Sequence, residues 1–161
     1  MAYSGSSGNN AQLLRRTITG VTNFSGRSRR TEVFYYWIAS TLVSVVFNFA
    51  MSAVAPLETS LRLGNALHLV LLIPAFALIV RRVHDQNRSG WWGALLPASV
   101  LLSVPRIMVE FRGDVHAIIA QKATPVDIIS GVFALAVFIL CLLPGTEGIN
   151  RYGSDPRLDE V

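Results

Sequence analysis

Apolar residues in this chain fall in blocks rather than in one-sided stripes. Four stretches, 34–55, 63–80, 93–109 and 126–143, carry almost no charge, and segments dense in Arg, Asp, Gly and Pro separate them. The first is an uncharged run of 22 residues opened by Phe34, Tyr35, Tyr36 and Trp37. A helix of that length covers about 33 Å, enough for a hydrocarbon core of about 30 Å, and the opening aromatics suit its interface. The second block is interrupted by His68 and Pro74. The third has 17 residues and holds Pro97, Pro105 and Arg106, which predicts an irregular or tilted helix with Arg106 reaching outward. The fourth follows Thr124-Pro125-Val126-Asp127, a helix start with Thr as N-cap, Pro first in the helix and Asp third, and Pro144-Gly145 stops it. The pattern predicts an all-α integral membrane protein, a compact bundle of four transmembrane helices.

Ahead of the blocks, 11–22 places Leu14, Ile18 and Val21 at helical spacing beside Arg15 and Arg16. This reads as a short amphipathic helix on the membrane surface. Residues 1–10 are rich in Gly, Ser and Asn without an apolar core and do not read as a cleaved signal peptide. The expected organisation is therefore an N-terminal tail with an interfacial segment (1–23), a membrane domain (24–156) and a short C-terminal tail (157–161).

Composition strengthens this picture. Charged residues make up only 15% of the 161 and hydrophobic ones 52%, too little polar surface to face water on every side. Four crossings put both termini on one side. Arg15, Arg16, Arg27, Arg29, Arg30, Arg81, Arg82, Arg88, Arg151 and Arg157 then share that side, which holds 10 of the 14 basic residues. Arg62, Arg106, Arg112 and Lys122 lie on the other. The richer side is expected in the cytoplasm of a bacterial inner (plasma) membrane. The net charge of +4 does not point to nucleic acid, because the arginines flank apolar blocks. The single cysteine, Cys141, lies within a block and reads as a packing residue.

The alternation of crossings gathers three distant polar segments on the inner face: 24–30, 81–92 and 150–156. Asp85, Asp155 and Glu32 are the acids available to their arginines, so the segments are expected to interlock through Arg–carboxylate pairs. The residues in question are Phe24-x-Gly26-Arg27-x-x-Arg30 with Trp37, then Arg81-Arg82-x-His84-Asp85-x-x-x-Ser89-Gly90-Trp91-Trp92, then Pro144-Gly145-x-x-Gly148-x-Asn150-x-Tyr152-Gly153-x-Asp155-Pro156. In this order they resemble the domain-of-unknown-function 805 family, the YhaH-like small bacterial inner-membrane proteins. Val83 departs from the family's usual Leu, and Gln86-Asn87 stands where a small residue often follows the Asp. The outer loop 110–127 is long and individual. The resemblance implies a multi-spanning inner-membrane protein and no known reaction.

Three functional readings follow. The first is a non-enzymatic protein whose cytoplasmic Arg/Asp/Trp face binds a partner protein or anionic lipid, with Arg27, Arg30, Arg81 and Arg82 at head-group depth beside Trp91 and Trp92. The competing reading of those arginines is an internal lock pairing with Asp85 and Asp155. The second is a subunit of an oligomeric transporter or channel lined by Asn48, which otherwise glues helices together. The third is a membrane enzyme using His84 and Asp85 on a lipid-borne substrate. These two are sequence neighbours pointing about 100° apart on a helix, which disfavours an orienting pair. Ser89 reads as a cap for the third helix. His68, His84 and His116 are dispersed, so no metal is expected, and no phosphate-cradling loop points to a cofactor.

Overall fold

The computed structural model describes residues 22–157, and every described element is helical. The predicted amphipathic segment 11–22 falls almost wholly outside those residues. α1 spans Arg30–Val54 and α2 Leu57–Asp85. A 3₁₀ turn, Gly90–Ala94, leads into α3 (Leu95–Leu102), and α4 (Val104–Arg112), α5 (Val115–Ala120) and α6 (Pro125–Leu142) follow. α1 begins before its apolar block and α2 runs past its block at both ends: hydropathy marks the greasy part of a rod, whereas the hydrogen-bonded ladder continues into polar sequence.

Three helices, α1, α2 and α6, are long and apolar enough to cross a membrane. The third block is not one rod. It breaks at Ser103, and the pieces Gly90–Leu102 and Val104–Arg112 meet at 47°. Pro105 explains the break: it has no N–H for the Leu101 carbonyl, and its ring crowds that same oxygen. α2, by contrast, continues through Pro74.

α1 packs along α2, and α3 along α6. Serines hold the second pair. Ser103 and Ser130 hydroxyls lie 2.8 Å apart, and Ser130 Oγ also donates to Ser99 O at 3.0 Å. Within lipid such bonds replace the hydrophobic drive that water supplies to soluble bundles. The buried apolar cluster, Val33, Leu78, Ile79, Val83, Val137 and Cys141, lies at one end, where the start of α1 and the ends of α2 and α6 converge. Most other side chains on these helices are exposed, as lipid-facing surfaces require: Phe49 and Val70 are examples.

The far end is tied differently. Arg106 pairs with Asp127 at 3.3 Å, Arg62 with Glu58 at 3.6 Å, and Arg62 donates to Arg112 O at 2.7 Å. Thr124 caps α6 as its residue type predicts: Asp127 N donates to Thr124 Oγ1 at 3.3 Å, and Thr124 N to Asp127 Oδ2 at 2.7 Å. Gly113, at φ +70°, closes α4 in the left-handed region and packs on Glu58.

Candidate functional site

Asp85, the last residue of α2, is the centre of the buried end. Its carboxylate takes Arg27 Nε at 2.9 Å and the Arg82 guanidinium one turn back. Arg82 is 1% exposed, and it also donates to Cys141 O at 3.1 Å and to Leu143 O, the open carbonyls that end α6. One side chain therefore satisfies both a carboxylate and a helix terminus. Arg27 spreads in the same way over Thr146 O and Gly148 O. The Asp85 carbonyl accepts from Thr146 N at 2.8 Å and Thr146 Oγ1 at 2.9 Å. A Cβ on Gly145 would overlap the Asp85 carboxylate, so only glycine lets the chain pass this close.

The C-terminal segment folds back over this centre. Asn150 Nδ2 donates to His84 O at 3.0 Å and to Thr146 Oγ1 at 2.9 Å. The Tyr152 ring stacks on His84 with centroids 3.8 Å apart, and Arg151 lies over Tyr152 at 4.7 Å. Asn150 and Gly153 close a tight turn through paired backbone bonds of 3.1 Å each, with Gly153 at φ +134°. Asp155, buried, takes Arg157 Nε at 2.8 Å and Gly148 N at 3.1 Å. The hydrogen bonds from the Arg157 side chain are the main reason its carboxyl is held well below the usual carboxylate range.

The N-terminal segment completes the lock. Glu32 takes Ser28 Oγ at 2.9 Å and Arg29 N at 3.1 Å, and Arg29 reaches Pro156 O at 2.8 Å through Nε. Ser28 N donates to Arg81 O at 3.1 Å. Residues preceding α1 thus touch residues following α6.

The geometry separates the residues that the sequence grouped. Arg27, Arg82, Asp85, His84, Asn150, Tyr152, Gly153 and Asp155 meet in one network. Arg81 is 8% exposed and turned inward, so neither member of the Arg81-Arg82 pair lies at the surface. Of the four arginines expected at head-group depth, only Arg30 is exposed. The pairs are not all those anticipated: Asp155 is met by Arg157, which the sequence reading placed in a tail. Ser89 stands at the N-cap position of the 3₁₀ turn, but its side chain makes no cap bond. Its carbonyl instead accepts from Trp92 N at 3.2 Å. Gly90 packs against His84 and Val80, where a side chain would collide. Trp91 and Trp92 are 84% and 50% exposed, with Arg88 6.0 Å from the Trp92 ring centre. His84 and Asp85 do not pair with each other: His84 Nδ1 lies 3.3 Å from Gly26 O. Asn48 sits far away, donating to Ser44 O at 2.8 Å with its amide oxygen against Gly64 of α2. No group of three or more potential metal ligands occurs among the described residues.

Thr146 was not anticipated, and Gly145 and Gly148 were read as motif positions without a contact assigned to them. The part of the two glycines is played through backbone groups and closeness, which leave little trace in residue type. The Gly145–Gly148 spacing was the available signal.

Comparison with known proteins agrees with this architecture. Residues 21–154 match the model of a family described as "Protein of unknown function (DUF805)". The inner membrane protein YhaI of Escherichia coli K12 is 32% identical over 137 residues, covering 83% of this chain and 86% of YhaI. The inner membrane protein YhaH of the same organism is 25% identical over 150 residues, covering 89% and 95%. The uncharacterised protein YiiR is 27% identical over 138 residues, covering 84% and 86%. No solved structure matches. The three segments of the lock fall almost entirely within the matched range, and the chain belongs to the DUF805 family of helical membrane proteins.

Proposed function

We propose that this chain is a non-enzymatic inner-membrane protein that crosses the bilayer four times with both termini in the cytoplasm. On this reading its inner face has two layers. Arg27, Arg81, Arg82, Asp85, Asn150 and Asp155 form an internal lock. Arg30, Arg88, Arg151, Trp91 and Trp92 form an outer rim that binds anionic lipid head groups. The observation carrying the reading is the contrast in exposure between layers: Arg82 is 1% exposed, while Trp91 is 84% exposed. The Arg27 and Arg82 guanidiniums, already bonded to carboxylate and carbonyls, have no capacity left for a phosphate. Exposed arginines are free to meet head groups, and Arg88 lies beside Trp92, a residue suited to that depth.

Two further facts support the topology. Arg29 of the segment before α1 bonds Pro156 beyond α6, so the chain enters and leaves at one end. The 3₁₀ turn with α3 and α4 carries the chain from Asp85 to the Arg106–Asp127 end, which supports reading the bent pair as one crossing. The arginine-rich end is the one assigned to the cytoplasm.

The test is lipid retention. Arg30, Arg88 and Arg151 are replaced together by Gln, and phosphatidylglycerol retained by the purified protein is measured by native mass spectrometry. The reading expects less phosphatidylglycerol with an unchanged melting temperature. Unchanged retention would remove the lipid-binding role.

A further inference from the structure

A second feature lies in the hydrocarbon region, away from the inner face. α1 and α6 diverge from their contact at Trp37 and Phe138, whose rings stack at 5.3 Å. The gap between them, floored by α2, is a cleft of about 910 Å³ open toward the surrounding lipid. Its α1 wall carries Tyr36, Ser40, Ser44 and Asn48, each four residues after the last and so on one face. These span about 18 Å along the helix.

Some of these polar groups are used internally: Tyr36 donates to Leu71 O, and Ser40 Oγ to Trp37 O at 3.1 Å. Others are not. His68 from α2 and Thr41 from α1 make no hydrogen bond to any described residue, and the Asn48 amide oxygen receives none. His68 lies five residues, about 8 Å, inside the outer end of the apolar block 63–80, beyond the Glu58–Arg62 pair. Within the hydrocarbon region an unmet polar group is costly. No Arg, Lys, Asp or Glu lines the cleft. A charged or zwitterionic head group would find no counter-charge there, and the cost of descending so far excludes it.

We propose that the cleft binds an uncharged, lipid-soluble ring compound of the prenylated quinone class. Its planar ring stacks against the Trp37–Phe138 pair. Its carbonyl oxygens accept from His68 and Thr41. Its apolar tail leaves through the open side between α1 and α6. The chemistry fits on three counts: unmet donors for carbonyls, an aromatic wall for a ring, and neutrality at a depth that rejects charge.

Trp37 is one of three tryptophans, so Trp91→Phe with Trp92→Phe leaves it as sole reporter. That variant, in nanodiscs of zwitterionic lipid, is titrated with decyl-benzoquinone, and Trp37 fluorescence is followed. The expected result is saturable quenching. His68→Leu should weaken it about tenfold, the scale of one lost hydrogen bond in a dry site. Ala134→Phe, which fills the cleft from α6 and removes no polar group, should abolish saturation. Dioctanoylglycerol, uncharged but without a ring, should not displace the quinone. Quenching that merely follows the quinone content of the lipid overturns the proposal. So does equal quenching in the His68→Leu and Ala134→Phe variants, displacement by dioctanoylglycerol, or a dimer joined through this face that shuts the quinone out.

Discussion

Asp85 decides the energetics of the inner end. It is 6% exposed and faces two guanidiniums, and removing its charge leaves both without their carboxylate. Breaking a buried ion pair from one side costs about 3–5 kcal/mol, more than most single contacts supply. Asp85→Asn should therefore lower the melting temperature of the purified protein sharply. Arg82→Lys should not preserve stability, because an ammonium cannot span Asp85, Cys141 O and Leu143 O together. A melting curve of Asp85→Asn like the parent's would show that the pairing is incidental. Much of this was legible from residue types alone: arginines and aspartates brought to one face must pair. What was not legible was which arginine meets which acid. Arg157 takes Asp155 because the chain turns back at Gly153, a matter of local backbone geometry. That pair also has a pH signature. The Asp155 carboxyl is depressed in the folded protein, so its contribution is present above the ordinary carboxylate range and is lost as pH falls through the lowered value. Protection from hydrogen exchange over 144–157, taken relative to the intrinsic rate at each pH, should fall in acid, and Asp155→Asn should flatten that dependence while lowering protection at neutral pH.

Among the elements, the broken third block is the instructive one. Its length and two prolines foretold irregularity, and Pro105 delivers it at Ser103, whose hydroxyl meets Ser130 of α6. The three-serine contact between α3 and α6 was invisible in a one-dimensional pattern, since serines in apolar blocks look like neutral filler. Ser130→Ala removes a bond to Ser103 and another to Ser99 O. Interhelical bonds in bilayers are worth about 0.6–1.7 kcal/mol, so the loss should be a modest fall in stability. Unfolding of the Ser130→Ala protein in mixed micelles measures it; a stability equal to the parent's would mean that packing alone holds the pair. The cap of α6, by contrast, could be read directly from Thr124-Pro125-Val126-Asp127, because capping is local chemistry.

At the scale of the whole molecule, the membrane simplifies the problem. A bilayer forces backbone groups into helices, so block lengths were enough to foresee the helical class and that α1, α2 and α6 are long and apolar enough to cross. The cleft between α1 and α6 was not foreseeable, because it exists only where two rods diverge; Asn48 was noticed, and its neighbours at four-residue spacing were not. The lock joins the segment before α1 to the segment after α6 and closes one end of the bundle. The proposed assignment of sides and the proposed outer rim for anionic lipid both rest on that closure together with the arginine bias. The most direct test is accessibility in intact cells. On a Cys141→Ser background, single cysteines are placed at Ser89, Lys122 and Ser154 and exposed to a membrane-impermeant maleimide. Four crossings with the lock inside predict labelling at position 122 only, with 89 and 154 reacting after lysis. Protection at 122, as a re-entrant third block would give, or labelling at 154 in intact cells would contradict it.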